Sequence, residues 1–314
     1  MEKVSIIVPF FNAENYIEKC LNNLLSQTYE NIEIILVDEE STDNSENIVK
    51  KFEGNSKIKY YKIKEKTIGV ANARNFGIEK VTGKYFIFVD VDDYIDSNLI
   101  DNLSIYFDKD VDLVKYKINI VDKDGKITEK IDGPVFGEMN GEEAFSKLCF
   151  GDILIDSPCL YMMKKELFDR NKNLRFTKNM YHEDFELMPL VLVNAKSIIS
   201  TDIYGYYYVQ SDGSIMRTKD KEKIIKKAND RLLHYDNMLK NISTLKEETK
   251  ENIKKYYTNA IILTVEELQG EERKKFIQEI KKRKMIKNIK AKNLKQLLKK
   301  IVLNINVNWY LKLR

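Results

Sequence analysis

The sequence is poor in the features that mark secreted, zinc-binding and membrane-spanning proteins. Three of its 314 residues are cysteines, an odd number whose spacing fits no metal site. No stretch approaches the roughly 20 apolar residues that a membrane-spanning helix needs, and the first residues lack the apolar run of a signal peptide. We therefore expect a protein of the reducing cytoplasm, soluble or attached peripherally at the inner face of the cell membrane.

Two enzyme signatures are missing after the first predicted strand, residues 4–8. No Gly-x-Gly-x-x-Gly motif follows it, which disfavours a dehydrogenase. The glycine-rich, basic loop expected of a nucleotidyltransferase is not there either. With 43% hydrophobic residues the chain can still bury a sizeable core, as one large domain or two smaller ones.

What the sequence does contain is an apolar run that ends in three carboxylates. Residues 85–89 read as a strand buried on both faces, and Asp90, Asp92 and Asp93 follow it at once. Because side chains alternate along a strand, we expect Asp90 and Asp92 on one side and Asp93 on the other. Two carboxylates on one side repel each other unless a cation lies between them, and such ligands suit Mg²⁺ or Mn²⁺. The structural alternative is an acidic turn before a helix that starts near Ser97.

Strands and helices alternate through the first ninety residues. We predict strands at 4–8, 32–37, 58–63 and 85–90, and helices from Asn12 or Asn15, from 41–43 to about Phe52, and at 69–81. Such alternation implies parallel β-α-β units, that is, a doubly wound, Rossmann-like, mostly parallel sheet. Ligands bind these sheets beyond the carboxyl ends of the strands. Three polar clusters, 9–12, 38–43 and 90–93, follow strands there, which predicts a site at this edge.

The regular alternation ends after Asp93. We predict strands at 111–120 and 126–131 joined by a hairpin turn, a helix at 141–150, a strand at 159–163, a helix at 187–192 and a tyrosine-rich segment at 203–210. Its tyrosines Tyr204, Tyr206, Tyr207 and Tyr208 could stack on the rings of a ligand, although alternation would turn half of them into the core. From Lys219 onward the apolar spacing is helical throughout, so an all-helical extension follows the α/β body.

Charge is distributed unevenly along the chain. Residues 281–314 carry twelve Lys or Arg and no Asp or Glu, which leaves residues 1–280 with 41 basic and 49 acidic residues. Apolar residues recur at helical spacing in 294–305, and Trp309 and Tyr310 follow. This tail could lie on an anionic membrane surface, or dock on its own domain or on a partner subunit such as a second copy. Nucleic acid is disfavoured, because no reading motif accompanies the lysines.

Three stretches together resemble the family 2 glycosyltransferases, inverting enzymes with the GT-A fold, here of the bacterial polysaccharide or capsule type. They are Val4-Ser-Ile-Ile-Val-Pro-Phe-Phe-Asn12 with Gln27-Thr-Tyr29 and Val37-Asp-Glu-Glu-Ser-Thr-Asp43; Gly69-Val-Ala-Asn-Ala-Arg-Asn-Phe-Gly77 with Thr82-Gly-Lys-Tyr85 and Asp90-Val-Asp-Asp93; and Tyr181-His-Glu-Asp184 with Tyr206-Tyr-Tyr208 and Gly213-Ser-Ile-Met216. The resemblance covers about residues 3–216. It implies a nucleotide-sugar-binding half at 1–95, an acceptor-binding half at 96–218 and a helical, basic extension at 219–314.

The resemblance also implies roles for individual residues. Asp92 would ligate Mn²⁺ or Mg²⁺ directly, and Asp93 would support this site without ligating the metal. Arg74 would bind the diphosphate, for which a planar guanidinium is well suited. Residues expected to line the donor nucleotide are Pro9, Phe11, Asn12, Asp38, Glu39, Asn72, Arg74, Asp90 and Val91. The structural alternative for Arg74 is an exposed pair with an acid on its own helix. Asn75 and Gly77 are expected to serve packing and the close approach of that helix.

On the acceptor side, the resemblance assigns the general base to Asp184, assisted by Glu183. A carboxylate can do this if burial or a neighbouring acid raises its pKa towards the working pH. The alternative is that both acids only favour the start of a helix. His182 and Ser214 are further candidates, although a single histidine is often structural.

One departure from the family pattern lies after the second strand. Asp38-Glu39-Glu40 stands where the family has Asp-Asp-Gly, so Glu39 is one methylene longer and Glu40 replaces a glycine that suits a tight turn. Taken as a whole, the resemblance implies metal-dependent, inverting transfer from a UDP-sugar to a hydroxyl of a glycan or lipid-linked oligosaccharide. A non-catalytic nucleotide-sugar-binding or assembly protein with the same fold is the alternative.

Overall fold

The computed structural model describes residues 1–64, 69–150, 155–210 and 220–289. The chain divides into two compact units, Met1–Ser214 and Ile215–Arg314. Three sequence predictions, on Ser214, on the segment around Met216 and on residues 290–314 of the basic tail, lie outside the described residues.

A single mixed β-sheet runs through the described part of the first unit. Its strands are β1 (Val4–Phe10), β2 (Ile32–Asp38), β3 (Ile58–Lys62), β4 (Tyr85–Phe88), β5 (Tyr94–Ile95), β6 (Leu113–Val121), β7 (Ile127–Ile131), β8 (Phe136–Met139), β9 (Tyr161–Lys164) and β10 (Ile198–Val209). The strand order is β3-β2-β1-β4-β9-β6-β10-β5, with β7 paired to β6 and β8 paired to β10.

The described part of the first unit has seven α-helices, of which α6 was not predicted from the sequence. They are α1 (Ile17–Leu25), α2 (Ser45–Lys50), α3 (Ala71–Lys80), α4 (Leu99–Ser104), α5 (Gly141–Leu148), α6 (Lys165–Arg170) and α7 (Glu183–Asn194). In α1 the buried residues are Ile17, Cys20, Leu21 and Leu24, three or four positions apart, as expected for a helix with one face on the core.

The predicted doubly wound arrangement is confirmed for β3-β2-β1-β4, whose neighbours all pair in parallel. Every residue of β1, β2 and β4 is buried, which explains their continuous apolar runs. The predicted end of the first strand at Val8, just before Pro9, is wrong. β1 runs on to Phe10, because its pairing with β4 ends at Ile7 and Pro9 therefore lies beyond the last β4 partner.

The second half of the sheet is less regular, as the loss of alternation in the sequence indicates. β9 runs antiparallel to both β4 and β6, while β6 and β10 are parallel. The sequence prediction missed the two-residue β5 and the four-residue β8, which are too short to show a period of two. The tyrosine-rich segment is the second half of the twelve-residue β10.

Gly77 has the packing role expected from the sequence. A Cβ atom there would lie 2.4 Å from Cγ2 of Ile7 in β1, so helix α3 approaches the strand as closely as only glycine permits. Asn75 on the same helix exchanges two hydrogen bonds with the backbone of Phe176, at 2.8 and 2.9 Å. These contacts fix α3 on the sheet and hold the chain segment that precedes α7.

The described part of the second unit consists of helices, as expected. They are α8 (Lys221–Asn241), α9 (Glu247–Thr264) and α10 (Gly270–Lys282). Their buried apolar residues include Leu232, Tyr235, Tyr257, Ile261 and Phe276. No helix in the described residues is both long enough and apolar enough to span a membrane.

Glu33 is an acid buried in β2, near the amino ends of the strands. Its side chain is 2% exposed and accepts hydrogen bonds from Lys59, Ser5 and the backbone and hydroxyl of Thr82. Burial raises the pKa of Glu33, but these hydrogen bonds outweigh it and lower the pKa to about 2. The charge is therefore a structural element of the edge opposite the predicted site.

We expect Glu33→Gln to reduce the free energy of unfolding by about 1–3 kcal/mol at pH 7, because buried donors lose a charged acceptor. The folded-state pKa lies below the unfolded value of about 4.3, so the contribution is present above that pH and is lost as the pH falls towards 2. Urea unfolding at pH 7 and pH 3 measures both. Glu18→Gln, which alters an exposed pair with Lys51 at 3.6 Å, is the control; equal effects of the two substitutions would contradict this account.

Candidate active site

The loops that follow β1 and β2 are tied together at the carboxyl edge of the sheet. The backbone N–H of Asn12 donates to Oγ of Ser41 at 2.9 Å, and Oδ1 of Asn12 accepts from the backbone of Thr42 at 2.8 Å. The N–H of Glu39 donates to the carbonyl of Phe10 at 2.9 Å. The structure therefore brings two of the three predicted polar clusters together, with the neighbouring Phe11 side chain 46% exposed.

The two acids at the end of β2 are held by different partners. Asp38 is fully buried and accepts from the N–H of Ser41 at 2.7 Å and the hydroxyl of Tyr60 at 2.8 Å. Glu39 accepts at 3.2 Å from the N–H of Ala73, in the first turn of α3, where backbone donors lack a partner within the helix. The extra methylene of Glu39 thus reaches the helix that also carries the predicted donor residues Asn72 and Arg74.

The third cluster is a turn and not the end of a strand. β4 ends at Phe88, and the N–H of Asp93 donates to the carbonyl of Asp90 at 3.1 Å. The prediction that Asp90 and Asp92 alternate with Asp93 across a strand is therefore wrong, because Val91 and Asp92 form a turn between Asp90 and Asp93. The acidic-turn alternative is correct for the backbone, and α4 follows from Leu99.

The three carboxylates of this turn have different surroundings. Oδ1 of Asp90 accepts a hydrogen bond from Nη2 of Arg74 at 2.9 Å. Asp93 is buried and accepts from the hydroxyl of Tyr206 at 2.7 Å and the N–H of Val209 at 2.8 Å. Burial, and then the charges of Asp90 and Asp92, raise the pKa of Asp93 well above its usual range.

Asp92 is the carboxylate of the turn that is left for a ligand. It is partly exposed, and among the described residues it accepts no hydrogen bond from a neighbouring residue. Burial, followed by the charge of Asp90, raises the pKa of Asp92. No group of three or more His, Cys, Asp or Glu side chains in the described part of the chain is arranged to hold a metal. A single available carboxylate, that of Asp92, fits a Mg²⁺-like ion, which takes one or two carboxylates and completes its coordination with phosphate and water.

Arg74 lies between the acidic turn and the start of α7. Nη1 donates to Oε1 of Glu183 at 2.7 Å, while Nη2 contacts Asp90. The guanidinium carbon lies 5.8 Å from the ring centre of Phe88 and 5.4 Å from that of Phe176. Burial lowers the pKa of Arg74, but Asp90 and Glu183 outweigh it, so the side chain stays charged. The alternative of an exposed pair on the helix surface is wrong, since Arg74 is buried and both partners come from other elements.

Glu183 and Asp184 form the first turn of α7, next to Arg74. Burial first, and then the charge of Asp184, raise the pKa of Glu183, and Arg74 opposes them. Burial also raises the pKa of Asp184, again against Arg74. Oδ1 of Asp184 accepts the N–H of Phe185 at 2.8 Å. Both acids do lie at a helix start, as the structural alternative proposed, but raised pKa values are also what a general base needs near neutral pH.

Three of the six non-glycine residues with positive φ in the described part of the chain lie at this edge, and the other three are Asp110, Asn179 and Lys284. Asn12, Glu40 and His182 have φ of 50°, 62° and 60°, in the left-handed region that non-glycine residues rarely adopt. Glu40 is the residue that stands in place of the family glycine, and its φ shows why glycine suits this turn. His182 directly precedes α7 and sets the direction in which Glu183 and Asp184 enter the site.

Sequence reasoning missed Tyr60 and the aromatic pair around Arg74 as contributors to the site, and it named Tyr206 without its contact to the acidic turn. Of the four tyrosines, half of which alternation was expected to turn into the core, Tyr206 is 2% exposed and bonded to Asp93, so it is one of the core residues and not a stacking one. Tyr207 stacks on Tyr94 with ring centres 4.7 Å apart. The alternation of the segment was the available signal, but it could not show which tyrosine faces the acidic turn.

Comparison with known proteins gives consistent results for sequence and fold. The sequence model of Glycosyl transferase family 2 matches residues 5–171. Glycosyltransferase GlyG of Streptococcus pneumoniae is 33% identical over 227 residues, which are 69% of this chain and 74% of that protein. The Escherichia coli protein WfaP, a UDP-Glc:alpha-D-GlcNAc-diphosphoundecaprenol beta-1,3-glucosyltransferase, is 30% identical over 77% of this chain and 87% of its own length.

The fold is similar to that of solved glycosyltransferases. The crystal structure of Staphylococcus aureus TarS 1–349 in complex with UDP-GlcNAc superimposes with a TM-score of 0.71 at 21% identity, covering 92% of this chain and 82% of that one. The predicted GT-A architecture with a helical extension is thereby confirmed. Two further sequence relatives are longer proteins, of which the chain covers 32% and 23%.

We expect Glu40→Gly to raise the free energy of unfolding by about 0.5–1 kcal/mol. Glycine avoids the cost of about 1–2 kcal/mol that a side chain meets in the left-handed region, and its greater chain entropy offsets only part of this gain. Urea unfolding measures the difference. Glu40→Ala, which removes the same carboxylate but keeps Cβ, should give no gain. If the two variants are equally stable, the positive φ of Glu40 carries no strain.

Proposed function

Because the chain belongs to family 2 of the glycosyltransferases, we propose that it transfers a sugar from a UDP-sugar to a hydroxyl of a glycan acceptor with inversion. Membership of this family makes it an enzyme, so a non-catalytic binding protein is not retained. The proposal extends to a divalent cation at Asp92 and to a role in building a bacterial surface polysaccharide.

One observation carries the proposal: a single guanidinium joins two acidic clusters that are far apart in sequence. Arg74 contacts Asp90 at 2.9 Å on one side and Glu183 at 2.7 Å on the other. Asp90 belongs to the turn proposed to meet the donor, and Glu183 precedes Asp184, the proposed base. A transfer that inverts the sugar needs a leaving-group side and a base side in this proximity, because the acceptor attacks the face opposite the diphosphate.

On the donor side, the leaving group is a nucleoside diphosphate whose charge grows as the sugar bond breaks. A cation bound at Asp92 would neutralise part of this charge. Asp90 and Asp93 are committed to Arg74 and Tyr206, so they orient the turn and leave Asp92 for the ion. The loops after β1 and β2, with Asn12, Asp38 and Glu39, would take the nucleoside.

On the acceptor side, Asp184 would remove the proton of the attacking hydroxyl. It must be ionised to do so, and Arg74 favours the ionised form against the burial that raises its pKa. Glu183 hydrogen-bonds to Arg74 and thereby holds the start of α7 against the donor side. The expected contribution of such a base is about 10²–10⁴-fold in rate.

The names of the relatives support a UDP-sugar donor and an acceptor in surface polysaccharide synthesis. WfaP is named for UDP-Glc and for an acceptor carried on diphosphoundecaprenol, and a TarS structure contains UDP-GlcNAc. We therefore propose a lipid-linked or polymeric glycan as the acceptor of this chain. A membrane contact through residues 281–314 stays a prediction, because residues 290–314 lie outside the described part.

Two substitutions separate the proposed roles of the carboxylates. Asp92→Asn and Asp184→Asn should each lower the rate of acceptor-dependent UDP release, measured with UDP-glucose or UDP-GlcNAc and a glycan acceptor, by at least about 10²-fold. Only Asp92→Asn should reduce the Mn²⁺-dependent thermal stabilisation by UDP, since bound ligand raises apparent stability according to its affinity.

Asp96→Asn is the matched control, as this acid lies just beyond the turn and bonds to the backbone of Asn98; its activity should stay close to wild type. NMR of the product should show a β-linkage formed from the α-linked donor. Full activity of Asp184→Asn would remove the proposed base, and a retained α-linkage would refute inversion.

The pH dependence should reveal the role of Arg74. Its charge lowers the pKa of Asp184, so Arg74→Gln should raise that pKa and move the acidic limb of kcat/KM to higher pH by about one unit or more. Arg170→Gln removes a comparable arginine, paired with Asp112 away from the site, and should affect stability without moving the limb. An unchanged limb in Arg74→Gln would show that the arginine does not tune the base.

A further inference from the structure

The hydroxyl of Tyr206 links both ends of the acidic turn. It donates to Oδ2 of Asp93 at 2.7 Å and accepts the backbone N–H of Asp90 at 3.1 Å. The tyrosine is 2% exposed, so water does not replace either bond. The first and the last residue of the turn are therefore held by one oxygen atom from β10, more than a hundred positions away in sequence.

The backbone around the turn is attached to the same strand. β5 pairs antiparallel with β10, with Tyr94 opposite Tyr207 and Ile95 opposite Tyr206. The N–H of Asp96 donates to the carbonyl of Gly205 at 2.9 Å, which extends the attachment beyond β5. Since the N–H of Val209 donates to Oδ1 of Asp93, the Asp93 carboxylate is bonded to β10 through both of its oxygens.

Asp92 lies between these two fixed ends but has no comparable restraint. Its carboxylate is partly exposed and accepts no hydrogen bond from a neighbouring residue in the described part of the chain. The position of Asp92 therefore depends on the backbone of the turn, which Tyr206 holds at both ends. Binding sites of this kind tolerate errors of only about 0.5 Å in the placement of a ligand.

We propose that Tyr206 is a positioning residue that fixes the acidic turn so that Asp92 meets a divalent cation bound with the donor diphosphate. This inference rests on the proposed metal dependence. It assigns to the tyrosine-rich strand a role on the donor side, whereas its sequence pattern suggested stacking on acceptor sugars.

The chain supplies two matched controls for removal of a buried tyrosine hydroxyl. Tyr116 in β6 is fully buried and donates to the carbonyl of Cys159 at 2.7 Å, so Tyr116→Phe loses a structural hydrogen bond. Tyr85 in β4 is 1% exposed, and its hydroxyl has no hydrogen-bond partner among the described residues, so Tyr85→Phe loses none. Neither tyrosine hydroxyl is bonded to the acidic turn.

The test is the affinity for Mn²⁺ in the presence of UDP, followed by the EPR signal of free Mn²⁺ on the full-length protein. Tyr206→Phe should weaken this affinity by about 10–100-fold, the usual cost of losing a group that orients a metal ligand. Tyr116→Phe should lower thermal stability and leave the Mn²⁺ affinity unchanged, and Tyr85→Phe should change neither. Stabilisation by UDP in EDTA should be the same in Tyr206→Phe as in wild type.

A second variant covers the case in which Tyr206→Phe fails to fold. Asp93→Asn keeps the shape of the side chain but weakens the bond from Tyr206, so its Mn²⁺ affinity should fall in the same direction. Wild-type Mn²⁺ affinity in either folded variant, or an equal loss in Tyr116→Phe, would overturn this inference and leave the proposed function standing. If the wild-type protein itself binds no Mn²⁺ in the presence of UDP, the proposed metal dependence is wrong, and this inference is wrong as well.

Discussion

The site depends on one buried cation, the guanidinium of Arg74. A charge in this position would destabilise the fold by several kcal/mol if it had no partner, and here it has Asp90 and Glu183. The rings of Phe88 and Phe176 lie near it and limit its movement. Because the two carboxylates belong to different elements, their shared partner makes the acidic turn and the start of α7 one electrostatic unit. A substitution on either side therefore changes the electrostatic environment of the carboxylates on the other side.

The two edges of the sheet serve different purposes. Around Glu33, near the amino ends of β1 and β2, an ionised carboxylate is fully hydrogen-bonded and lowers the energy of the fold. At the carboxyl edge, Asn12, Glu40 and His182 adopt unfavourable backbone conformations. Acids whose pKa values burial raises lie there too. Strain and unfavourable charge persist where the surrounding structure holds them, and this is the usual situation at binding and catalytic sites.

Glu39 connects the departure from the family pattern to this arrangement. A carboxylate with one more methylene than aspartate accepts the N–H of Ala73 at the start of α3, next to Arg74. Helix α3 is in turn held against β1 at Gly77 and against the segment before α7 through Asn75 and Phe176. The loop after β2, Arg74 and the segment before α7 are thus all attached to the same helix, so Glu39 and Glu40 fit an arrangement built around α3.

The sequence alone determined the strands and helices of the first ninety residues, the helical extension and the edge of the sheet at which polar residues gather. Long apolar runs and helical spacing are local signals, and the parallel order follows from the alternation of elements. The family resemblance in 3–216 added the residues to consider. These predictions succeeded because each depends on neighbours in the chain.

Only the tertiary structure decided how those residues are connected. Arg74 meets Glu183 across 109 positions and Tyr206 meets Asp93 across 113, and no local pattern encodes either pair. Asp90–Asp93 also forms a turn where a strand end was expected, and the residues after this turn pair with β10. Contacts between distant segments arise from packing of the whole sheet, so the sequence indicated which residues to consider for the site, while their partners and protonation were decided by the fold.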